Sequence, residues 1–194
     1  MEMKPLGEIS KIRAGYPFRG EIKAVDGGKV RVVQIKNIHE IHGMDWVSLI
    51  RTELPGRKSP DFLACGDILF TARGSRTTAV ALTDVPERTA CSPHLYKITS
   101  NTSRILPGYL AWYINQKPAS RHFARFAEGS RVLGIRRGML EDLPEPIPSL
   151  DDQHRIFALD QWVKQEYQLL DQRMANSQTM LDAIALALHK AHRV

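Results

Sequence analysis

Residues 142–153 read DLPEPIPSLDDQ, and this stretch divides the chain into two parts of different character. Its three prolines alternate with other residues, which holds the backbone extended and excludes a helix. Ser149 then follows as a predicted helix N-cap, and Asp152, three residues later, completes a variant of the capping box. The sequence therefore predicts a stiff connector that changes abruptly into a helix.

No proline or glycine occurs between Ser149 and His192, so the predicted helix has roughly 40 residues and a length of about 60 Å. Apolar residues recur along it at intervals of three and four, with Ser177 at one of the positions. These residues, the seam, are Ile156, Leu159, Val163, Tyr167, Leu170, Met174, Leu181, Ile184 and Leu188. The helix could fold back on its own domain, but its length favours an intermolecular coiled coil.

Charge is unevenly distributed along the 194 residues. Residues 1–150 contain 22 Lys and Arg against 15 Asp and Glu, a net charge of +7, whereas residues 151–194 contain 5 against 6, a net charge of −1. The basic excess thus lies on the predicted globular part, which indicates a polyanionic partner such as nucleic acid.

The composition also excludes some classes of protein. No apolar run approaches the ~18 residues of a membrane span, and the first residues lack the apolar core of a signal peptide. Two cysteines, Cys65 and Cys91, cannot form a disulfide framework. We therefore expect a cytoplasmic protein that does not contact a membrane.

Arginines, lysines and hydroxyl groups concentrate in several loops that follow predicted strands. In one segment, residues 121–137, five arginines accompany one acid, and Arg121 and Arg125 lie one helical turn apart. Guanidinium groups suit bidentate contacts with phosphates and with guanine. The candidate DNA contacts are Arg19, Lys36, Asn37, Arg57, Lys58, Arg73, Ser75, Arg76, Thr77, Ser130, Arg131, Arg136 and Arg137.

No catalytic or metal-binding motif is evident. The segment His39-Glu40-Ile41-His42 has its second histidine one residue too early for H-E-x-x-H. We therefore predict no catalytic residue, no metal site and no cofactor. An enzyme with an unrecognised site, such as a nuclease dependent on Asp67 or Glu21, stays open as an alternative.

The order of the motifs resembles one half of a type I restriction–modification specificity (S) subunit. The resemblance lies in GDILFTARG at 66–74, LPGYLA at 106–111 and LPEPIP at 143–148, followed by QHRI at 153–156. The first 38 residues add LGEI at 6–9, GYPF at 15–18 and VVQIKNI at 32–38. The match covers nearly the whole chain, although each motif alone is loose.

This resemblance implies an α+β fold. Residues 1–148 would form a target-recognition domain with a mixed, largely antiparallel twisted sheet, and residues 149–194 one long helix in an antiparallel coiled coil. The family usually has two such domains and two such helices in one chain, so this chain looks like a half-subunit.

The implied function is recognition of double-stranded DNA without catalysis. A half-subunit would homodimerise through its helix and read a split palindrome, and it would direct a DNA methyltransferase subunit and a restriction subunit to that site. A regulatory protein that pairs with a full-length specificity subunit, and alters or blocks its target choice, is the alternative.

Overall fold

The structure, a computed structural model, describes residues 2–18, 20–54, 60–74, 77–101, 103–126 and 133–191. The helices are α1 (Leu6–Ile9), α2 (Pro107–Ile114), α3 (Lys117–Ala124), α4 (Arg137–Glu141) and α5 (Leu150–Ala191). The strands are β1 (Glu2–Pro5), β2 (Ser10–Ala14), β3 (Val30–Val33), β4 (Ile38–His39), β5 (Gly43–Met44), β6 (Ile50–Thr52), β7 (Asp67–Thr71), β8 (Arg73–Gly74), β9 (Ala79–Ala81), β10 (Thr89–Cys91), β11 (Leu95–Ser100), β12 (Leu133–Gly134) and β13 (Pro144–Ile147).

The strands form small sheets that are antiparallel except for the pairing of β3 with β10. The central sheet has the order β2-β11-β7-β9, and a second sheet has the order β10-β3-β6. All five residues of β7 are buried, as expected for a strand with protein on both faces. Together with the long C-terminal helix, this confirms the predicted α+β fold with a largely antiparallel arrangement of strands.

The main core lies between the central sheet and the short helices. Ile68 and Phe70 of β7 and Ile98 of β11 are fully buried there against Leu110 of α2 and Phe123 of α3. Burial of such side chains contributes about 1.5–3 kcal/mol each, so this cluster fixes α2 and α3 on the sheet. No helix among the described residues is both long enough and apolar enough to cross a membrane.

The weak alternation of apolar and polar residues over positions 6–12 predicts a first strand, but the first four of these residues form helix α1 instead. Leu6 and Ile9 are three residues apart and both buried, and a helical turn places such residues on one face. The turn is held at both ends. The Leu6 amide donates to the Leu143 carbonyl at 2.8 Å, and the Ser10 hydroxyl donates to the Leu6 carbonyl at 2.8 Å.

The proline-rich connector is a strand, β13, that pairs with β1 in a two-stranded antiparallel sheet. Pro5 stands opposite Pro144, and prolines are compatible with such an edge because the pair needs few ladder bonds. Carbonyl groups of β13 also accept side-chain donors from α2: Tyr109 Oη donates to Pro146 at 3.0 Å and Tyr113 Oη to Pro144 at 3.1 Å. The connector is therefore attached to the domain along its length.

Helix α5 begins as the sequence predicts. The Asp152 amide donates to Ser149 Oγ at 3.2 Å, and Ser149 Oγ donates to Asp152 Oδ2 at 2.7 Å. One turn on, the fully buried Gln153 attaches the helix to the domain. Its Oε1 accepts from the Leu106 amide at 2.8 Å, and its Nε2 donates to the carbonyl groups of Arg104 at 3.2 Å and Pro148 at 3.0 Å.

The first turns of α5 pack against the domain, which corrects the assignment of Ile156 to the seam. Ile156 is partly buried against the main core, and the ring of Phe157 lies against Gly108 of α2. A Cβ at Gly108 would lie 2.5 Å from that ring, so only glycine allows this approach. The other eight seam residues are 41 to 70 % exposed.

Glu145 of β13 is fully buried, and neither of its carboxylate oxygens has a hydrogen-bond partner among the described residues. Burial raises the pKa of this carboxyl to about 9. Burial, and then the nearby Glu145, also raises the pKa of the Tyr109 hydroxyl. The folded protein thus holds Glu145 protonated at neutral pH, whereas the unfolded chain ionises it near its ordinary value of 4.5.

We predict that Glu145→Met removes a pH dependence of stability. A carboxyl whose pKa is raised on folding contributes stability that is complete below pH 4.5 and is lost as pH rises towards 9. Replacement by an apolar side chain of similar volume should therefore raise the free energy of unfolding by about 4 kcal/mol more at pH 8 than at pH 5. Denaturant unfolding at several pH values measures this.

The matched control is Glu8→Gln, which changes an exposed carboxylate of α1. Equal pH dependence in the wild type and in Glu145→Met would contradict the assignment of a buried, protonated Glu145.

Candidate nucleic-acid interface

The structure brings together the two arginine-bearing loops that the sequence singled out. Strand β8, which begins the first loop, pairs with β12, which lies in the second. In this ribbon Arg73 stands opposite Gly134, and the Ile135 amide donates to the Ala72 carbonyl at 2.9 Å. No described atom lies within 4 Å of the place where a Cβ on Gly134 would be.

Hydrogen bonds hold the residues from which the ribbon starts. The Thr78 amide donates to Thr71 Oγ1 at 2.7 Å, and the Thr71 amide donates to the Thr78 carbonyl at 2.9 Å. Asn115, at the end of α2, pairs with Ala79 like a neighbouring strand. Its Oδ1 accepts from the Ala79 amide at 2.8 Å and its Nδ2 donates to the Ala79 carbonyl at 2.8 Å. These bonds fix where the ribbon leaves the core.

The described candidates near the ribbon differ in their exposure and in whether they already bind another side chain. Arg73 and Arg136 are exposed, and neither forms an ion pair with another described residue. Arg137 is exposed but binds Glu141 one turn further along α4, with Nε and Oε1 2.7 Å apart. Thr77 is half-buried beside the base of the ribbon. Arg73 and Arg136 are therefore the side chains that can bind an anion without breaking an existing pair.

Helix α3 adds a row of basic residues that the candidate set left out. Lys117, Arg121 and Arg125 follow one another at intervals of four residues, and all three are exposed. The opposite face, with Ala119 and Phe123, is buried in the core. No acidic residue occurs in α3, and the four-residue spacing is the sequence signal that could have identified Lys117. The row suits contacts with a phosphate backbone.

Seven candidates lie outside the described residues, and their placement is not part of this structure. They are Arg19, Arg57, Lys58, Ser75, Arg76, Ser130 and Arg131.

The prediction that Asn37 contacts DNA is corrected by its burial. Asn37 is only 1 % exposed. Its Oδ1 accepts from the Gln34 amide at 2.9 Å, and its Nδ2 donates to Ser48 Oγ at 2.8 Å. Both ends of the amide are thus engaged inside the protein, and Asn37 shapes the loop. The neighbouring Lys36 is exposed and keeps a charge available at the surface.

Asp67, named in the nuclease alternative, belongs to a buried ion-pair network. Its Oδ1 accepts from Thr99 Oγ1 at 2.7 Å, and its Oδ2 lies 2.8 Å from the Ala64 amide and 3.2 Å from Lys97 Nζ. Lys97 also binds Asp61 Oδ1 at 2.9 Å. These bonds leave Asp67 little capacity for a metal ion. The described ranges contain no cluster of three or more His, Cys, Asp or Glu able to hold a metal.

The pKa values of Asp61 and Cys91 agree with structural roles for these two side chains. Burial opposes ionisation of Asp61, yet Lys97 and Arg13 together keep the pKa of its carboxyl below the ordinary value. Burial raises the pKa of the Cys91 thiol to about 12, so it is not a thiolate at neutral pH.

Comparisons with known proteins bear on the fold alone. The chain matches no protein-family model and no curated protein. Among solved structures it is similar to the HsdS subunit from Thermoanaerobacter tengcongensis, with a TM-score of 0.58 and 17% identity over 85% of this chain and 37% of the other.

Two other similar chains agree with this result. The S subunit of the type I restriction-modification system of M. genitalium has a TM-score of 0.51 and 16% identity over 81% of this chain and 37% of its own. A chain from a type I R-M system solved to explain complex assembly and conformational transition has a TM-score of 0.64 and 17% identity over 94% of this chain and 43% of its own. The present chain thus spans about two fifths of each, and it has the fold of the specificity subunits of type I restriction–modification systems.

Proposed function

We propose that this chain is a DNA-recognition subunit of a type I restriction–modification system, and that residues 1–148 are its recognition domain. The observation that carries the proposal is the β8–β12 ribbon, which joins two arginine-bearing loops on a specificity-subunit fold. The net charge of +7 on residues 1–150 supports the same partner. Basic groups supply salt-dependent affinity for DNA, and groups that reach base edges supply sequence preference.

In this proposal the two kinds of contact come from different elements. Arg73 and Arg136 lie beside the ribbon and form no ion pair with a described residue, so we assign them to base edges. Lys117 and Arg121 of α3, with Arg125 at its C-cap, form an exposed basic row, so we assign them to phosphates. The chain itself carries out no reaction; a methyltransferase subunit and a restriction subunit in the cytoplasm supply the chemistry.

The exposed seam of α5 is the basis for a homodimer. Eight apolar side chains, from Leu159 to Leu188, lie along one side of a helix that projects beyond the domain. Each side chain of this kind gains about 1.5–3 kcal/mol when it is removed from water. A second copy of the same helix offers the same apolar side in return, and residues 149–194 are therefore proposed as the dimerisation helix.

Side-chain pairing along the seam favours an antiparallel dimer. With the two-fold axis between residues 175 and 176, Leu170 meets Leu181 of the second copy, Tyr167 meets Ile184, and Val163 meets Leu188. Ser177, the polar member of the series, then meets Met174 next to the axis. In this register each a position of the heptad repeat in one copy lies next to a d position in the other, which is how antiparallel helices interdigitate.

Charges beside the seam disfavour the parallel alternative. A parallel pair would bring Glu166 of one copy next to Asp171 of the other, and like charges in such flanking positions repel. In the antiparallel register these residues face Ala187 and Gln178 instead. Two identical domains related by a two-fold axis would read a palindrome interrupted by a spacer.

A second exposed side of α5 is left for other subunits. Trp162, Leu169 and Met180 are 59 to 77 % exposed and lie away from the seam. Large apolar side chains in a line on a protein surface mark a site of association. We assign this line to the methyltransferase subunit.

The test of the proposal is selection from a random pool of duplex DNA with the purified chain, with its mass in solution measured alongside. We expect a dimer of about twice the chain mass of 21.9 kDa that enriches a split palindrome. A dimer that enriches nothing, and that inhibits a full-length specificity subunit without creating a new specificity, would favour the regulatory alternative. A monomer without sequence preference would contradict both the recognition role and the dimer.

We predict that Arg73→Ala and Arg136→Ala each relax the preference for individual base pairs. If the lost contact is bidentate, discrimination at one position of each half-site should fall by ~1–3 kcal/mol. Binding assays with single-base variants of the selected site measure this. The matched control is Arg104→Ala, because Arg104 is an exposed arginine that binds Glu2 at 3.0 Å. Unchanged base preference in both ribbon variants would contradict the assignment.

A further inference from the structure

The hairpin formed by β4 and β5, residues 38–44, contacts the long helix far from its origin. Gln168 Nε2 donates to the Ile41 carbonyl at 2.9 Å. His42 Nε2 lies 3.2 Å from Asp171 Oδ2. We call residues 38–44 the brace hairpin. It reaches α5 at positions 15 and 18 residues beyond Gln153, which is the first anchor of that helix to the domain.

The brace hairpin is itself firmly attached to the domain. The Asp45 amide donates to the Asn37 carbonyl at 2.9 Å, and the Asn37 side chain binds Ser48 Oγ at 2.8 Å. Ser48 in turn donates through its amide and its hydroxyl to the Asp45 carboxylate, which lowers the pKa of that carboxyl. Met44 and Trp46 pack against a second buried cluster that includes Leu69 and Leu82. The tip therefore has a fixed position.

Beyond Ile156 and Phe157, which pack on the domain, α5 does not pack tightly again until it reaches Gln168. A groove of about 450 Å³ separates the helix from the brace hairpin and from β9. Its sides include Met44 and Trp46 of the hairpin region, Val80 of β9, and Phe157 and Lys164 of the helix. Because this stretch is open, the direction of α5 depends on the contacts at Gln168 and Asp171.

Because Gln153 and Asp171 lie far apart along α5, a small change in the direction of the helix moves Asp171 by a large distance. Eighteen residues of helix span about 27 Å between Gln153 and Asp171. A pivot of only about 7° around Gln153 would shift the helix at Asp171 by about 3.4 Å, the rise of one base pair. A contact that removes this freedom can therefore select between targets that differ by a single base pair in spacer length.

We infer that the brace hairpin, through its contacts with Gln168 and Asp171, determines the spacing of the two half-sites. This inference rests on the proposed function, because it concerns how a dimer of this chain measures DNA. It assigns to residues 38–44 a positioning role that is separate from reading bases.

The test compares a brace variant, His42→Ala with Gln168→Ala, with a matched control, Thr179→Ala. The control removes another side-chain hydrogen bond of α5, since Thr179 Oγ1 donates to the Ala175 carbonyl at 2.9 Å, and the exposed Thr179 belongs neither to the seam nor to the brace contacts. The first readout needs no DNA. Spin labels on cysteines introduced at Lys11 and Lys190, in a Cys65→Ser chain diluted with unlabelled chain, report the distance between domain and helix.

We expect one narrow distance distribution in the wild type and in the control, and a broader one in the brace variant. The second readout is selection of spacer length. The brace variant should keep the half-site sequence, while its preference for the best spacer over spacers one base pair longer or shorter should fall about fivefold or more, as loss of the Gln168–Ile41 hydrogen bond and of the His42–Asp171 contact implies.

A narrow distribution in the brace variant would overturn the inference, and so would a broad distribution with unchanged spacer preference. A wild-type chain that selects no split site would instead contradict the proposed function and the spacing role with it. In that case the distance distribution still decides whether the hairpin fixes the direction of the helix.

Discussion

The buried amide of Gln153 is the contact on which the rest of the structure depends. It binds the Leu106 amide and the carbonyl groups of Arg104 and Pro148, so it ties the start of α2, the end of the connector and the first turn of α5 together. All three bonds are made in a fully buried place, where an unpaired amide group would cost about 1–3 kcal/mol. The helix therefore leaves the domain from one defined point.

From that point two sides of α5 have different surroundings. One side meets the domain through Phe157 and, further on, through Gln168 and Asp171. A second side carries the seam, which the domain leaves exposed. Because a helix of 42 residues extends well beyond the domain that supports it, the seam can be buried only by residues outside this domain and helix. The attachment of α5 to the domain therefore leaves the seam free for the proposed dimer. In that dimer it also affects how far apart the two recognition domains lie.

Local signals in the sequence were sufficient for some elements. Alternating prolines, the Ser149 cap and the absence of glycine after it predicted an extended connector followed by a long helix, because each of these effects acts within a few residues. The prediction for Leu6–Ile9 was wrong because the alternation there is weak, and the spacing of three between the buried Leu6 and Ile9 fits one face of a helical turn rather than one face of a strand. Ile156 fits the periodicity of the seam, and periodicity does not reveal which turns the domain covers.

Features that depend on distant contacts could not be predicted in this way. The ribbon pairs residues about 60 positions apart, so the sequence identified its arginines but not their proximity. Asn37 was taken for a DNA contact because it follows a strand among polar residues, and only the fold shows it holding the loop that supports the brace hairpin. The hydrogen bond from Gln168 to Ile41 joins residues 127 positions apart, and no pattern in the sequence signals it.

Antiparallel pairing of α5 between two copies is central to the proposed function, and one distance in the dimer tests this pairing. Spin labels at Lys190 in a dimer of the Cys65→Ser chain measure the separation of the two helix ends. With the axis between residues 175 and 176, the 1.5 Å rise per residue predicts a separation of about 43 Å. A separation of about 10 Å, the distance between neighbouring parallel helices, or an absence of any dimer would contradict the account.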